Sequence, residues 1–321
     1  GFLAQFAGQA VILDEAQKAP SLFSYLQGLV DAAPEMGRFV ITGSQNFLLL
    51  EKISQSLAGR SAIHHLLPLA ASEILGVAPL EIERIGEDLP QRPAPAISLF
   101  ELLHRGFYPP IHDRDIPAQD WLGNYYRTYL ERDVRELINI GDVDAFARFV
   151  RLCAGRCGQL LNLVSLANDC GISHATARRW LSTLEASFVV FLLRPYHQNF
   201  SKRLIKSPKL YFCDTGLLCY LLRVRDAEDL RLHHQRGAVF ENFVIGELLK
   251  NFLNRGLEAD LYFWRDSHGH EVDLVVDRGA EPLAVEIKSG ETVVGDFFRG
   301  LEYWHGLRGD KAGPGVLVYG G

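Results

Sequence analysis

Over residues 1–75, short unbroken apolar runs alternate with stretches whose apolar positions recur at helical spacing. Ala10-Val11-Ile12-Leu13 reads as a strand buried on both faces of a parallel sheet, and it ends in Asp14-Glu15. Ser21 is placed to cap a helix whose Leu22, Tyr25, Leu26, Leu29 and Val30 share one stripe. A second buried strand, Phe39-Val40-Ile41, ends in Thr42-Gly43-Ser44-Gln45. A helix through Phe47, Leu50, Ile53 and Leu57 then closes at Gly59, and Ile63–Leu67 supplies a third strand. Strand–helix–strand–helix–strand implies a parallel sheet with right-handed crossovers. Ligands of such sheets gather at the carboxyl ends of the strands, where Asp14, Glu15, Thr42, Ser44 and Gln45 fall.

Residues 76–145 read as a linker and helical region, with a proline-rich loop at Pro90–Pro95 and a stiff turn at Gly106-Phe107-Tyr108-Pro109-Pro110. An amphipathic helix starts near Gln119 and turns Leu122, Tyr125, Tyr129, Val134, Leu137 and Ile138 inward. Residues 146–225 follow helix–turn–helix grammar. Val164–Cys170 is a helix, Gly171 the turn, Ser173 the cap, and His174–Leu184 the second helix. Ala177, Trp180, Leu181 and Leu184 face the core, which leaves His174, Arg178, Arg179 and Ser182 outward. Phe188–Leu193 and Tyr211–Cys213 bracket the basic loop Lys202–Lys209, with Arg203 and Lys206, as a winged hairpin.

In residues 226–321, Glu241 lies on a helix carrying Val239, Phe240, Phe243, Val244, Leu248 and Leu249. Glu271–Val276 and Leu283–Lys288 flank a turn, and a hairpin centred on Arg278–Ala280 sets Asp273 across from Glu286. Lys288 projects from the same face as Glu286. Two like charges in a cross-strand pair destabilise a hairpin unless a cation joins them. Two carboxylates, a lysine and a helical Glu241 are what a Mg²⁺-dependent phosphodiester hydrolysis needs. A solvated hairpin, or a nuclease core that binds without cutting, are the competing readings.

Composition narrows the class. The 321 residues are 48% hydrophobic and 22% charged, with a net charge of −6, which excludes disorder, collagen and coiled coil as overall descriptions. No apolar run approaches the roughly 18 residues of a membrane span, and no secretory leader opens the chain, so a cytoplasmic protein is expected. Five cysteines in apolar or helical surroundings are expected to be reduced and buried. The only methionine is Met36, so Gly1 is not a translation start, and the chain is expected to be a piece cut from a longer protein. Charge is unevenly spread. Residues 145–210 hold ten Lys/Arg against two acids, a net of +8, which leaves −14 for the rest. Such a block fits a phosphate-backbone partner, duplex DNA, or a basic face docked on an acidic neighbour.

The strand ending in Asp14-Glu15 resembles the Walker B element of P-loop ATPases, and Thr42–Gln45 resembles the sensor-1 position of AAA-type ATPases. The resemblance implies that Asp14 holds Mg²⁺, Glu15 polarises the attacking water, and Ser44, Gln45 and Arg60 face the nucleotide. No G-x-x-x-x-G-K-[S/T] loop occurs in the 321 residues, so this chain by itself is not expected to turn over ATP. Asp273, Glu286-x-Lys288 and Glu241 resemble the PD-(D/E)XK nucleases, which implies metal ligation by Glu241, Asp273 and Glu286 and catalysis by Glu286 and Lys288. The ordered set VILDEAQKAP, FVITGSQ, SLAGR, GFYP, YLERDVREL, YFCDTGLL and GAVFENFVIGE resembles AAA-type ATPases joined to domain of unknown function 4143. That resemblance implies an α/β chain: a parallel-sheet P-loop ATPase remnant, a winged helix, and an α/β nuclease-like domain. ATP and Mg²⁺ are the implied cofactors and duplex DNA the implied partner, with homo-oligomerisation left open. A metal-dependent DNA nuclease, or a non-catalytic DNA-binding or docking protein, are the alternative functions.

Overall fold

The computed structural model describes the whole chain apart from residues 1, 7, 33–35, 44–55, 86–94, 115, 130–141 and 197–205. It is an α/β protein that divides into two compact units, residues 1–64 and 65–321. The expected site residues Ser44, Gln45, Lys202 and Arg203 lie outside the described residues. So do Phe47, Leu50, Ile53, Val134, Leu137 and Ile138 of the two expected helices.

In the first unit, β1 (Val11–Leu13) pairs in parallel with β2 (Phe39–Ile41), Val11 opposite Phe39, and α1 (Ser21–Ala32) connects them. Four expectations change here. The strands are not covered on both faces, because Ile12 is 71% and Val40 48% exposed while Val11, Leu13, Phe39 and Ile41 pack with Phe23 and Leu26 of α1. Alternate residues point to opposite faces, and among the described residues only one face of this two-stranded sheet is packed. On α1, Phe23 takes the inward position expected of Tyr25, and Ser21 is the first helical residue. Residues 61–67 form no strand, and Ile63 and Leu66 are exposed.

The second unit contains, after two short helical turns, α2 (Leu99–Arg105) and α3 (Ala118–Thr128). A three-helix cluster follows: α4 (Val143–Gly155), α5 (Leu163–Cys170) and α6 (His174–Ala186). Asn162 and Ser173 cap α5 and α6 by accepting the N–H groups of Ser165 and Thr176, and Gly171 ends α5 in the left-handed region. Phe146, Phe149, Ala177, Trp180 and Leu184 form the buried seam, the edges of both phenyl rings meeting the indole. Phe188, at φ 53, makes the left-handed turn that delays β3 to Val190–Pro195.

β3 pairs antiparallel with β4 (Lys209–Phe212). The pair is also part of a larger sheet. Helices α7 (Thr215–Leu222) and α8 (Arg236–Asn254) lead to β5 (Leu261–Arg265), β6 (Glu271–Val276) and β7 (Leu283–Lys288). Helix α9 (Arg299–Arg308) and β8 (Gly315–Tyr319) complete an α–β–β–β–α–β unit. The six-stranded sheet runs β4-β3-β5-β6-β7-β8, joined where β3 pairs β5 through Arg194 with Tyr262 and Pro195 with Phe263. The sheet therefore continues across residue 225, and one apolar cluster holds Phe146, Trp180, Phe240, Phe263 and Val285 together. Along β7, Leu283, Val285 and Ile287 join that cluster, whereas Ala284 faces Trp264, Leu301 and Trp304 on the other side.

Two of the quoted motifs meet away from any charge pattern the sequence displays. Asp214 of YFCDTGLL accepts the N–H groups of Phe107 (2.6 Å) and Leu217 (2.6 Å). Gly106 sits at φ 75, where an added Cβ would lie 2.7 Å from both Asp214 Oδ1 and the Gly216 Cα, so GFYP and DTGLL interlock backbone to backbone.

Candidate functional site

The hairpin register is the one expected. Leu274 lies opposite Val285, Val275 opposite Ala284 and Val276 opposite Leu283, and one step further sets Asp273 opposite Glu286. Between the pairs Tyr262–Val275 and Trp264–Val272, β6 carries one residue more than β5, a bulge at Asp273–Leu274 of the kind that re-aims side chains beside active sites. Asp273 Oδ2 accepts the Ile287 N–H at 2.8 Å and the Lys288 ammonium at 2.8 Å, and Lys288 also donates to Glu286 Oε2 at 2.5 Å. The lysine thus joins the two opposed carboxylates. Glu286 is 4% exposed, and an added Cβ on Gly300 of α9 would collide with its Oε1, so only glycine admits that carboxylate.

Glu241 of α8 belongs to the same group of charges, but through residues that the sequence reading leaves out. Lys209 Nζ lies 3.1 Å from Glu241 Oε1 and 2.5 Å from Glu271 Oε1, and the Tyr211 hydroxyl donates to Glu241 Oε1 at 2.5 Å. Arg265 pairs with Glu271 at 2.9 Å. By sequence, Lys209 counts toward the basic block and closes the basic loop. At 3% exposure it is buried instead, like every residue of β4, and it shares a face with Tyr211. That i, i+2 spacing of Lys209 and Tyr211 is the available signal, as is the spacing of Glu271 and Asp273.

Burial and neighbouring charge set the protonation states. Burial first, then the charge of Asp273, pushes Glu286 up to about 8. Burial also pushes Asp273 up, but Lys288, Lys209 and the Ile287 N–H outweigh it and hold the carboxyl below its usual range. Burial, joined by Asp273, raises Glu241 despite Lys209. Burial opposes the charge on Lys288, yet Asp273 and Glu286 raise it overall. Shared burial and unequal neighbouring charge thus shift the adjacent Asp273 and Glu286 in opposite directions.

At the end of β1, Asp14 is exposed and accepts a hydrogen bond from the Thr42 hydroxyl at the end of β2. Glu15 occupies the left-handed region at φ 52 and pairs with Lys18 at 3.0 Å. Arg60 does not reach these acids; its guanidinium grips Asp31 of α1 at 2.5 and 3.2 Å, which raises its pKa. On the second unit, His174, Arg178, Arg179 and Ser182 lie exposed along α6. Lys206 lines a hollow of about 470 Å³ with Arg194, Tyr262 and Asp277. Arg156, also in the basic block, pairs with Asp169. All five cysteines are free and buried. Among the described residues no helix is long and apolar enough to cross a membrane.

Family models match the chain in three stretches: an AAA domain over residues 1–75, a domain of unknown function (DUF8612) over 97–228, and a domain of unknown function (DUF4143) over 236–321. The chain therefore has an AAA-domain-plus-DUF4143 architecture. Two curated relatives, an uncharacterized protein of Mycobacterium bovis and one of Mycobacterium tuberculosis, are each 33% identical over 286 residues. The match covers 88% of this chain and 59% of each relative, so the chain spans well under two thirds of their length. No solved structure matches it.

Proposed function

We propose that the chain is part of an AAA-type ATPase that grips duplex DNA through α6 and the β3–β4 hairpin, and carries a nuclease-type phosphodiester site at Asp273, Glu286 and Lys288. The observation that carries the reading is the pair of opposed carboxylates joined by one lysine, inside an α–β–β–β–α–β unit. Phosphodiester hydrolysis needs a hard cation on the phosphate, a means of activating water, and a positive group for the developing charge. Asp273 and Glu286 supply hard oxygen donors suited to Mg²⁺. The proton that Glu286 retains up to about pH 8 is the sign of a buried acid lacking a full counter-charge, which a divalent ion would supply. Asp273 and Glu286 would hold that ion, and it would polarise the phosphate and acidify the attacking water.

The protein's own groups do the positioning. The Ile287 N–H and Lys288 fix the Asp273 carboxylate, and Lys288, whose side chain is 30% exposed, can turn its ammonium toward a phosphate oxygen. In the AAA domain, ATP with Mg²⁺ would meet Asp14, and Glu15 would polarise water, given a phosphate cradle beside them. For DNA binding the support is the exposed row His174, Arg178, Arg179, Ser182 on a capped second helix.

The test is a supercoiled-plasmid assay with Mg²⁺ or Mn²⁺. Wild type should nick and Lys288→Ala should not; equal nicking by both would overturn the assignment. Metal binding without nicking in wild type would leave a site that grips DNA and does not cut it. Replacing Arg178 and Arg179 by alanine should reduce the slope of log affinity against log salt by about 2, since each phosphate left unneutralised lowers it by roughly 0.9.

A further inference from the structure

Four carboxylates, Glu241, Glu271, Asp273 and Glu286, converge where β6 begins and β7 ends, and two lysines divide them. Lys288 takes Asp273 and Glu286. Lys209 takes Glu241 and Glu271, which come from different elements, and its ammonium also lies 5.5 Å from the Phe263 ring centroid. We infer that Lys209 is a resident internal cation of the phosphodiester site, and that a divalent metal ion binds there by displacing its ammonium from Glu241. The inference rests on the nuclease-type reading and assigns Lys209 as a positioning residue within it.

The geometry argues for competition over simple support. Among the described residues, no group of three or more His, Cys, Asp or Glu side chains is spaced to hold a metal ion. The acids that would do so are each turned onto a lysine. Glu241 already accepts the Tyr211 hydroxyl at 2.5 Å, so one of its oxygens would keep a protein partner with Lys209 removed. Lys209 is 3% exposed, and a buried ammonium persists only while carboxylates hold it. Lys209 and Tyr211 both hold Glu241 Oε1, so a metal ion that takes that oxygen must displace the ammonium from it. Lys288 differs: its side chain is 30% exposed, so its ammonium is not itself buried and can turn toward solvent or substrate.

The experiment measures Mn²⁺ binding by calorimetry, and the rise in melting temperature with Mn²⁺ over EDTA, for the whole chain at pH 8. Lys209→Met should melt below wild type in EDTA, gain more from Mn²⁺, and bind it at least tenfold more tightly. Adding Glu241→Gln to Lys209→Met should remove that gain. Lys209→Gln, which keeps a donor for one carboxylate, should move in the same direction by less, and serves if the methionine variant fails to fold. Wild-type binding that Asp273→Asn abolishes, with no tighter binding in either Lys209 variant, would overturn the inference and leave the phosphodiester reading standing. No Mn²⁺ binding by wild type or by the variants would overturn both.

Discussion

The acids at the end of β1 and those at the β6–β7 hairpin are both gathered at the ends of strands, yet they are held in opposite ways. Asp14 is exposed beside the Thr42 hydroxyl, and the nearby ion pairs, Glu15 with Lys18 and Arg60 with Asp31, sit at the surface. The hairpin acids are inside, shared between Lys209 and Lys288 and backed by α8 and α9. Surface pairs are screened and contribute little, whereas a buried group of charges must be balanced within the fold. The first site can gain or lose a partner without disturbing its unit. The second is part of what holds its unit together.

The largest expected effect lies among the buried polar groups. Asp214→Ala would orphan the N–H groups of Phe107 and Leu217, each costing about 1–3 kcal/mol, so a loss of roughly 2–6 kcal/mol should appear in urea denaturation. A loss under about 1 kcal/mol would mean that the interlock of Gly106 and Gly216 holds without its carboxylate.

Next comes the pH dependence of the hairpin site. Glu286 is raised in the folded state, so between about 4.5, the ordinary glutamate value, and about 8 the folded chain keeps a proton that the unfolded chain has released. Stability should therefore fall as pH rises across that window, by at most about 1.4 kcal/mol per unit, and level off above it. Asp273, held below its usual range, acts in a separate window: its contribution is present above about 4 and is lost as pH falls further. Glu286→Gln should flatten the upper slope and leave the acid limb unchanged. A slope that survives in Glu286→Gln would assign the proton to another group.

The smallest effect is expected at the surface site. Arg60→Ala breaks the grip on Asp31, and its change in unfolding midpoint should be close to the error of the measurement and vanish in 1 M salt. A large change that salt does not touch would place Arg60 in the same class as the hairpin acids.

What can be read from the sequence follows the same division. The Asp273–Glu286 register is legible because a two-residue alternation and a short turn leave one pairing. The outward row on α6 is legible because Ala177, Trp180, Leu181 and Leu184 fix the inward face. The role of Lys209 is not, because a lysine beside Lys202, Arg203 and Lys206 looks like part of a basic surface. Its carboxylate partners Glu241 and Glu271 lie 32 and 62 positions away in sequence. The joining of β3 to β5 is not legible either, since a parallel pair formed by two residues leaves no local pattern. In the first unit, apolar runs suggest strands buried on both faces, and the exposure of Ile12 and Val40 shows that a run of three apolar residues cannot say how many faces are packed.

The most direct test of the hairpin as a metal-dependent phosphodiester site is Mn²⁺ titration of wild type beside Asp273→Asn and Glu286→Gln, with folding of each variant verified by its melting curve. The account predicts saturable binding by wild type and its loss in both variants while each still melts cooperatively. Binding of the same strength in all three would contradict it.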